Sequence, residues 1–499
     1  VPSGRLPGLL AAALSAVLLF AAGEPLGLGP LGWVALVPLF AAILARPTRR
    51  WGWLLGLTFA LVYFGAHIAW IFLFGWMAWS ALTLVLALYV SLGTLVAGAV
   101  AKTRFAPVLV AGAWTGAELL RERWPYGGYS WGALGTTQGN VPGVRWLAGV
   151  VGVYGLSFLL AFAAAVLALM IVRRELPWTS VAIVGAALLA FVAADAGISG
   201  RPSGGEPLRI AVVQGGVPRP VVPGQRDIIL RHHVDTTRAL LARRQVDVVV
   251  WPEESVGEGA VEGLAAVQQL AREVDTPFLV GQTFVDEAGD FRNAVRYVDA
   301  SGVLRRTYEK RHPVPFGEYV PVGFLRRFVG TLQEQLPTDQ QPGRTPDVFD
   351  VRGTKIAAPI CFESVFPRDV LDFVRAGAEL FVLSTNDSSF ETTYASQQHL
   401  AHTRMRALET RQWFVQAALS GISAVIAPDG TMTHTTRLFT TDAFVADVRT
   451  RTAQSLYAKT GDLFAELFAA AAAIAFLLAL RRRRDPDPQA PDDAAILAA

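Results

Sequence analysis

Two hydrophobic patterns divide the chain. Long apolar runs fill residues 1–200 and return at 463–480, while 205–455 alternates short β-branched runs with amphipathic stretches. Stretches of roughly 17–25 apolar residues can cross the hydrocarbon layer as helices. The candidates are Leu9–Ala22, Leu31–Ala45, Trp53–Phe74, Ser80–Val100, Ala106–Leu120, Trp146–Val172, Trp178–Ile198 and Leu463–Leu480. The first lacks a convincing small-residue cleavage site, so it reads as a span and not as a signal peptide. From Leu208 onward the runs Arg209–Gln214, Val246–Trp251, Pro277–Gln282, Asn293–Val298, Gly302–Tyr308, Asp347–Val351, Thr354–Ile360, Leu380–Ser384, Phe414–Ala418, Ser423–Ala427 and Phe444–Asp447 predict strands. Helices are expected over Asp227–Arg244, Gly259–Glu273, Arg368–Arg375 and Gln397–Glu409. Strand and helix alternate, which predicts an α/β domain.

Composition sharpens this division. With 52% hydrophobic residues and a mean hydropathy of +0.38, the chain is too apolar for an ordinary soluble protein. The net charge of +3 is small, and no basic stripe interleaved with aromatics points to nucleic acid. Four regions are expected: a multi-span α-helical membrane bundle over 1–200, a globular domain over 205–455, a last span over 463–480, and a basic, disordered tail over 481–499. Basic residues set the orientation. Arg5, Arg46, Arg49, Arg50, Lys102, Arg104, Arg173, Arg174 and Arg481–Arg484 fall on one side when the spans are counted, and Arg121, Arg123 and Arg145 fall on the other. The majority places the globular domain away from the cytoplasm. His67 and Glu118 lie within apolar runs, and neither is expected to be catalytic. The aromatic, glycine-rich connection Trp124–Gly135 reads as an interfacial belt and as one wall of a lipid-facing cavity.

Candidate chemistry sits at three strand ends. Cys361, the one cysteine in 499 residues, follows the run Thr354–Ile360, with Glu363 two positions on. Trp251-Pro252-Glu253 ends a second strand, and Tyr308-Glu309-Lys310 ends a third, followed by Val314-Pro315-Phe316-Gly317-Glu318. A residue just beyond a strand is held rigidly yet opens onto a pocket. A thiol attacks only as thiolate, so it needs a base and a nearby cation. A carboxylate and an amine would supply both. A Ser/His/Asp arrangement based on Ser364 or Ser384 lacks a histidine in a companion motif. His399 and His402 could share a helix face, yet no third ligand at metal spacing accompanies them, so they read as polar helix positions and no metal is expected.

The ordered set W-P-E, Y-x-K-x-x-x-V-P-F-G-E-Y and I-C-F-E-S resembles the nitrilase superfamily. Together with the spans, and with Trp114–Arg121, Tyr154–Ser157, Met405–Glu409 and Tyr457–Asp462, it is similar to the bacterial apolipoprotein N-acyltransferases. The resemblance implies a nitrilase-like αββα sandwich and a Glu253–Lys310–Cys361 triad supported by Glu318 and Glu363, with no cofactor. Glu318 and Glu363 would hold the lysine charged and oriented. It implies a monomer in the bacterial inner membrane, with the catalytic domain on the outer side. There Cys361 would take an acyl chain from a phospholipid and pass it to the α-amine of a lipoprotein's diacylglyceryl-cysteine. Asn386-Asp387-Ser388-Ser389-Phe390-Glu391 departs from the family's N-D-x-W-F-G loop in lacking the tryptophan and the glycine. A membrane-tethered amidase would use the same triad with water as acceptor, and a transporter or receptor would need no Cys361 at all.

Overall fold

The computed structural model describes residues 4–198, 205, 207–217, 224–258, 263–323, 339–450 and 454–481. The expected tail lies outside these residues from 482 onward, as do residues 259–262 of one expected helix. Helices α1 (Arg5–Ala22), α2 (Val37–Ala45), α3 (Arg49–His67), α4 (Trp76–Val100), α5 (Ala106–Arg123), α6 (Ala148–Arg173) and α7 (Trp178–Ile198) make the N-terminal bundle. There follow β1 (Pro207–Gln214), α8 (Gln225–Leu241), β2 (Val248–Val256), α9 (Gly263–Val274), β3 (Phe278–Val285), β4 (Phe291–Val298) and β5 (Leu304–Glu309). The second half holds β6 (Val348–Val351), β7 (Thr354–Ala357), α10 (Pro367–Arg375), β8 (Leu380–Thr385), α11 (Ala395–Thr410), β9 (Phe414–Ala418), β10 (Ala424–Ile426), β11 (Met432–Thr435) and β12 (Asp442–Arg449). Short α12 (Leu456–Thr460) leads to α13 (Leu463–Arg481).

Every expected span is helical, but the runs are unequal. Among the described residues, 5 helices are long and apolar enough to cross a membrane: α1, α4, α6 with the turn before it, α7 and α13. The Leu31–Ala45 run splits into a 3-10 turn and the 9-residue α2. Helix α3 opens on Arg49-Arg50, and α5 ends in Glu118–Arg123. Small residues let the helices close up, as in membrane bundles generally. A Cβ on Gly52 would lie 2.2 Å from the Thr94 carbonyl oxygen, and one on Gly56 would lie 1.9 Å from Thr94 Oγ1, so α3 and α4 meet backbone to backbone. Helix α13 returns to this bundle, where Phe468 stacks on Phe158 with centroids 4.1 Å apart.

The α/β domain contains two 6-stranded sheets, ordered β12-β1-β2-β3-β4-β5 and β11-β10-β9-β8-β7-β6. Strands β1–β2–β3 and β7–β8–β9 are parallel at each centre, and the flanking strands are antiparallel. Alternation builds two layers from one strand. Ile210, Val212, Val248 and Val250 face the second sheet's Ile356, Val382 and Val415, while Ala211, Val213, Val249 and Trp251 face outward under Leu230 of α8 and Val267 and Leu270 of α9. Phe373 and Val374 of α10 and Leu400 and Ala407 of α11 cover the other sheet. This is the αββα sandwich that the resemblance implies.

Two of the three arginines that ran against the charge bias, Arg123 and Arg145, face acids near the junction with the domain. Arg123 pairs with Asp462 at 3.2 Å and Glu466 at 2.7 Å, and Arg145 pairs with Asp429 at 3.3 Å. Gln398 of α11 ties the junction from inside. Its Oε1 accepts from Trp70 Nε1 at 3.2 Å and Trp131 Nε1 at 2.7 Å, and its Nε2 donates to the His67 carbonyl at 3.1 Å.

Candidate active site

Glu253 sits in a bulge within β2, Lys310 directly after β5 and Cys361 beyond β7, and the sandwich brings them to one edge. Pro252 cannot donate to the ladder, and the β2–β3 register shifts between Trp251 and Val256. The bulge fits against β3 because Gly281 has no side chain: a Cβ there would sit 2.3 Å from the Pro252 carbonyl oxygen. Glu253 is thereby turned into the sheet edge. Its Oε1 accepts from Asn293 Nδ2 at 2.7 Å and Lys310 Nζ at 3.1 Å, and its Oε2 accepts from the Asn386 N–H at 2.8 Å.

Lys310 follows β5 directly, and its backbone N–H donates to the Asn293 carbonyl at 2.8 Å. The side chain is wholly buried, and Nζ also donates to Glu318 Oε1 at 2.5 Å. Glu318 is fixed in turn by the Val314 N–H on Oε2, 2.7 Å away. Burial works against the ammonium, but the Glu253 and Glu318 carboxylates outweigh it and hold the lysine well above its ordinary range. Burial pushes the Glu318 carboxyl up, against the pull of Lys310. Neighbouring Glu254 is pushed up to about 7 by burial and by Glu253.

Cys361 opens a 3-10 turn, Cys361–Val365, with φ of +47°. The residue keeps part of its surface open. Its thiol nevertheless lies well above the usual range, because burial and the Glu253 and Asp387 carboxylates outweigh Lys310 and a hydrogen bond with Thr385. Lys310 pulls in the expected direction and is outweighed. Burial and these carboxylates thus favour the thiol over the thiolate.

Glu363 departs from its expected role. No hydrogen bond or ion pair joins it to Lys310 among the described residues. Instead its Oε1 accepts from Tyr308 Oη at 2.6 Å and from the N–H groups of Arg311 at 2.7 Å and His312 at 3.3 Å, and its Oε2 accepts from the Ile360 N–H at 2.6 Å. A carboxylate two residues past Cys361 thus pins the chain around Lys310 to the chain before Cys361. Removing it would strand buried donors at about 1–3 kcal/mol each, not additively. Glu363→Ala should lose about 3–5 kcal/mol in denaturant unfolding of the detergent-solubilised protein, and a change below about 1 kcal/mol would refute this account.

The reading of His399 and His402 as plain polar helix positions is corrected. Both are buried, at 1% and 3% exposure, because α11 is covered by Trp131 of the bundle. His399 Nδ1 lies 2.9 Å from Asp387 Oδ1, and Nε2 lies 3.1 Å from the Cys361 carbonyl oxygen. Donor atoms of Cys361, Asp387 and His399 all lie within 4.8 Å of one another. Both ring nitrogens are committed to hydrogen bonds, so this is a proton-sharing cluster. Nothing local in the sequence announces it. The signal was Asp387 in a loop that departs from the family pattern, twelve positions before a histidine.

The nucleophile turn also packs on the bundle: Phe362, Val365 and Phe366 form one apolar cluster with Trp70 and Trp131. The edge carrying Cys361 therefore adjoins the membrane helices. A buried ammonium between two carboxylates, beside a reachable thiol, has the parts for covalent acyl chemistry.

Residues 15–166 match the model described as apolipoprotein N-acyltransferase N-terminal domain, and residues 209–458 match carbon-nitrogen hydrolase. The apolipoprotein N-acyltransferase of Geobacter metallireducens is 31% identical, covering 95% of this chain and 95% of its own. That of Gloeobacter violaceus is 30% identical over 96% of this chain and 94% of its own. Among solved structures, Saccharomyces cerevisiae Nit3, a member of branch 10 of the nitrilase superfamily, is similar over 53% of this chain and 94% of its own, at 16% identity and a TM-score of 0.38.

Proposed function

The chain belongs to the apolipoprotein N-acyltransferase family, and from that premise we propose that Cys361 is the nucleophile of a two-step acyl transfer at the membrane surface. Glu253 takes the thiol proton, and the thiolate attacks the ester carbonyl of a phospholipid. Lys310 Nζ donates to the oxyanion of the tetrahedral intermediate. The C–O bond breaks, the proton on Glu253 passes to the departing lysophospholipid oxygen, and a thioester remains. The α-amine of an S-diacylglyceryl-cysteine then attacks the thioester. Glu253 accepts the amine proton, the C–S bond breaks, and the thiol is restored as the amide leaves. Splitting one hard exchange through a covalent intermediate is the gain of this route.

Glu318 keeps the lysine charged and aimed, and Glu363 holds the two strand ends together. The bundle over 1–200 and the helix at 463–480 would hold both lipid substrates, and the 205–455 domain would carry the chemistry. The protein would act as a monomer in a bacterial inner membrane with this domain on the outer side. The charge bias supports that orientation, since two of the three arginines that oppose it, Arg123 and Arg145, are offset by acids. One observation carries the acyl-transfer reading: the turn that begins at Cys361 is packed against Trp70 and Trp131 of the N-terminal helical region, whose apolar helices are long enough to cross a membrane. A water-dependent amidase would have no use for that placement.

Intact-protein mass spectrometry tests the transfer. After incubation with dioleoyl phospholipid micelles, the protein should gain one oleoyl group. Adding a diacylglyceryl-cysteine peptide should discharge it onto the peptide amine, faster than water does. Discharge at the same rate with and without peptide would mean a hydrolase.

A further inference from the structure

A φ of +47° at Cys361 is a conformation that a non-glycine residue keeps only where its surroundings over-determine it. The Cys361 carbonyl oxygen meets Ser364 Oγ at 3.0 Å and His399 Nε2 at 3.1 Å. Ser364 Oγ also lies 3.0 Å from Nε2, and across the ring Nδ1 lies 2.9 Å from Asp387 Oδ1. Counting protons gives two states. A carbonyl only accepts, and so does an ionised carboxylate. The ring can serve both only as an imidazolium, and the Ser364 proton is then free for the Cys361 carbonyl as well. A neutral ring with Nδ1–H toward Asp387 has a bare Nε2, which takes the Ser364 proton. In that state the carbonyl loses both donors.

We propose that His399, held by Asp387, is a positioning residue for Cys361. As a cation it clamps the nucleophile's carbonyl in the left-handed turn, directly and through Ser364, and it puts positive charge within 4.8 Å of the sulfur. This rests on the reading of Cys361 as nucleophile. The groups facing the ring are Asp387 from the loop after β8, Glu253 from β2, the Cys361 carbonyl from its turn and His402 from its own helix. Trp131 covers it from the bundle. Burial disfavours the imidazolium, but Asp387 outweighs it and leaves the ring above its ordinary value. The sign follows: the clamp is complete below that raised value and is lost as pH rises through it. Acylation of Cys361 therefore acquires an alkaline limb set by His399.

The test measures the rate of oleoyl-adduct formation on Cys361 in the full-length, detergent-solubilised protein, in micelles containing dioleoylphosphatidylethanolamine, between about pH 6 and 9.5. Asp387→Asn should move the alkaline limb about one unit toward acid, because the imidazolium loses its counter-charge. His399→Gln keeps a donor without the charge, so it should slow adduct formation about tenfold and abolish the limb. A residue that merely supports the fold would lower the melting temperature and leave the limb in place. An Asp387→Asn profile superimposable on wild type overturns the proposal, even if His399→Gln does not fold. Failure of the wild type itself to form an adduct would overturn the nucleophile reading and this inference together.

Discussion

Cys361→Ser should fold normally and form no detectable acyl adduct, a loss of at least about ten-thousandfold in the first half-reaction. The substitution keeps the shape of the turn and exchanges the nucleophile for a far weaker acid. On the proposed mechanism, Glu253 takes the proton of a thiol whose carboxylate-rich pocket already resists ionisation. A hydroxyl in the same place lies far beyond that base. The turn itself does not depend on sulfur, since the Ile360 N–H is fixed by Glu363 and the Cys361 carbonyl by Ser364 and His399. Thermal unfolding should therefore stay within about 1 kcal/mol of wild type. Mass spectrometry with phospholipid alone reads the outcome. An oleoyl ester on the serine variant at near wild-type rate, or an adduct on another residue, would remove Cys361 from the mechanism.

Lys310→Met should cost both stability and activity, and its penalty should depend on pH. The ammonium is the shared partner of Glu253 and Glu318, and it is fully buried. Taking away one member of a buried ionic cluster leaves uncompensated charge, typically a loss of about 3–5 kcal/mol. On the proposed mechanism the oxyanion donor disappears at the same time, worth roughly a further hundred- to thousandfold in rate. Burial already holds the Glu318 carboxyl above its ordinary range with the lysine in place. Without the lysine it rises further, so the folded variant binds a proton that the unfolded chain releases. A raised folded-state value gives stability at low pH that is lost as pH rises. The deficit relative to wild type should shrink from pH 8 to pH 5, measured by urea unfolding at each (roughly the interval in which a buried carboxyl titrates). A deficit that is constant across that interval would mean that the carboxylates find other partners.

The strands of the sandwich were legible because burial on both faces writes β-branched runs into the chain, as in Val248–Trp251 and Leu380–Ser384. β11 was not, because Met432–Thr435 is an edge strand open to solvent and carries threonine and histidine where a core strand would carry valine. Glu253, Lys310 and Cys361 could be singled out because each follows a β-branched run in the sequence, although β2 continues past Glu253 to Val256 through a bulge. Their partners could not. Glu363 looked like a lysine holder from sequence distance alone, yet it bonds four groups on two chain segments. Asp387 and His399 meet Cys361 only because β8 and α11 are laid beside the nucleophile turn, a proximity that no spacing encodes. The membrane helices showed the converse effect. Apolar runs were plain, while the length of each helix was set by turns such as Gly29–Trp33 that apolarity does not reveal.

The resting protonation of Cys361 also governs how long the protein lasts. Oxidants attack thiolates, and the first product, a sulfenic acid, is rescued only when another thiol can condense with it. This chain has no second cysteine, so a sulfenate on Cys361 would have no resolving partner within the molecule. A nucleophile kept permanently ionised would be exposed to peroxide between turnovers. Here burial, Glu253 and Asp387 favour the thiol over the thiolate. On the proposed mechanism, the arrangement that makes a general base necessary for acylation is the same one that shields a solitary cysteine from oxidants between turnovers.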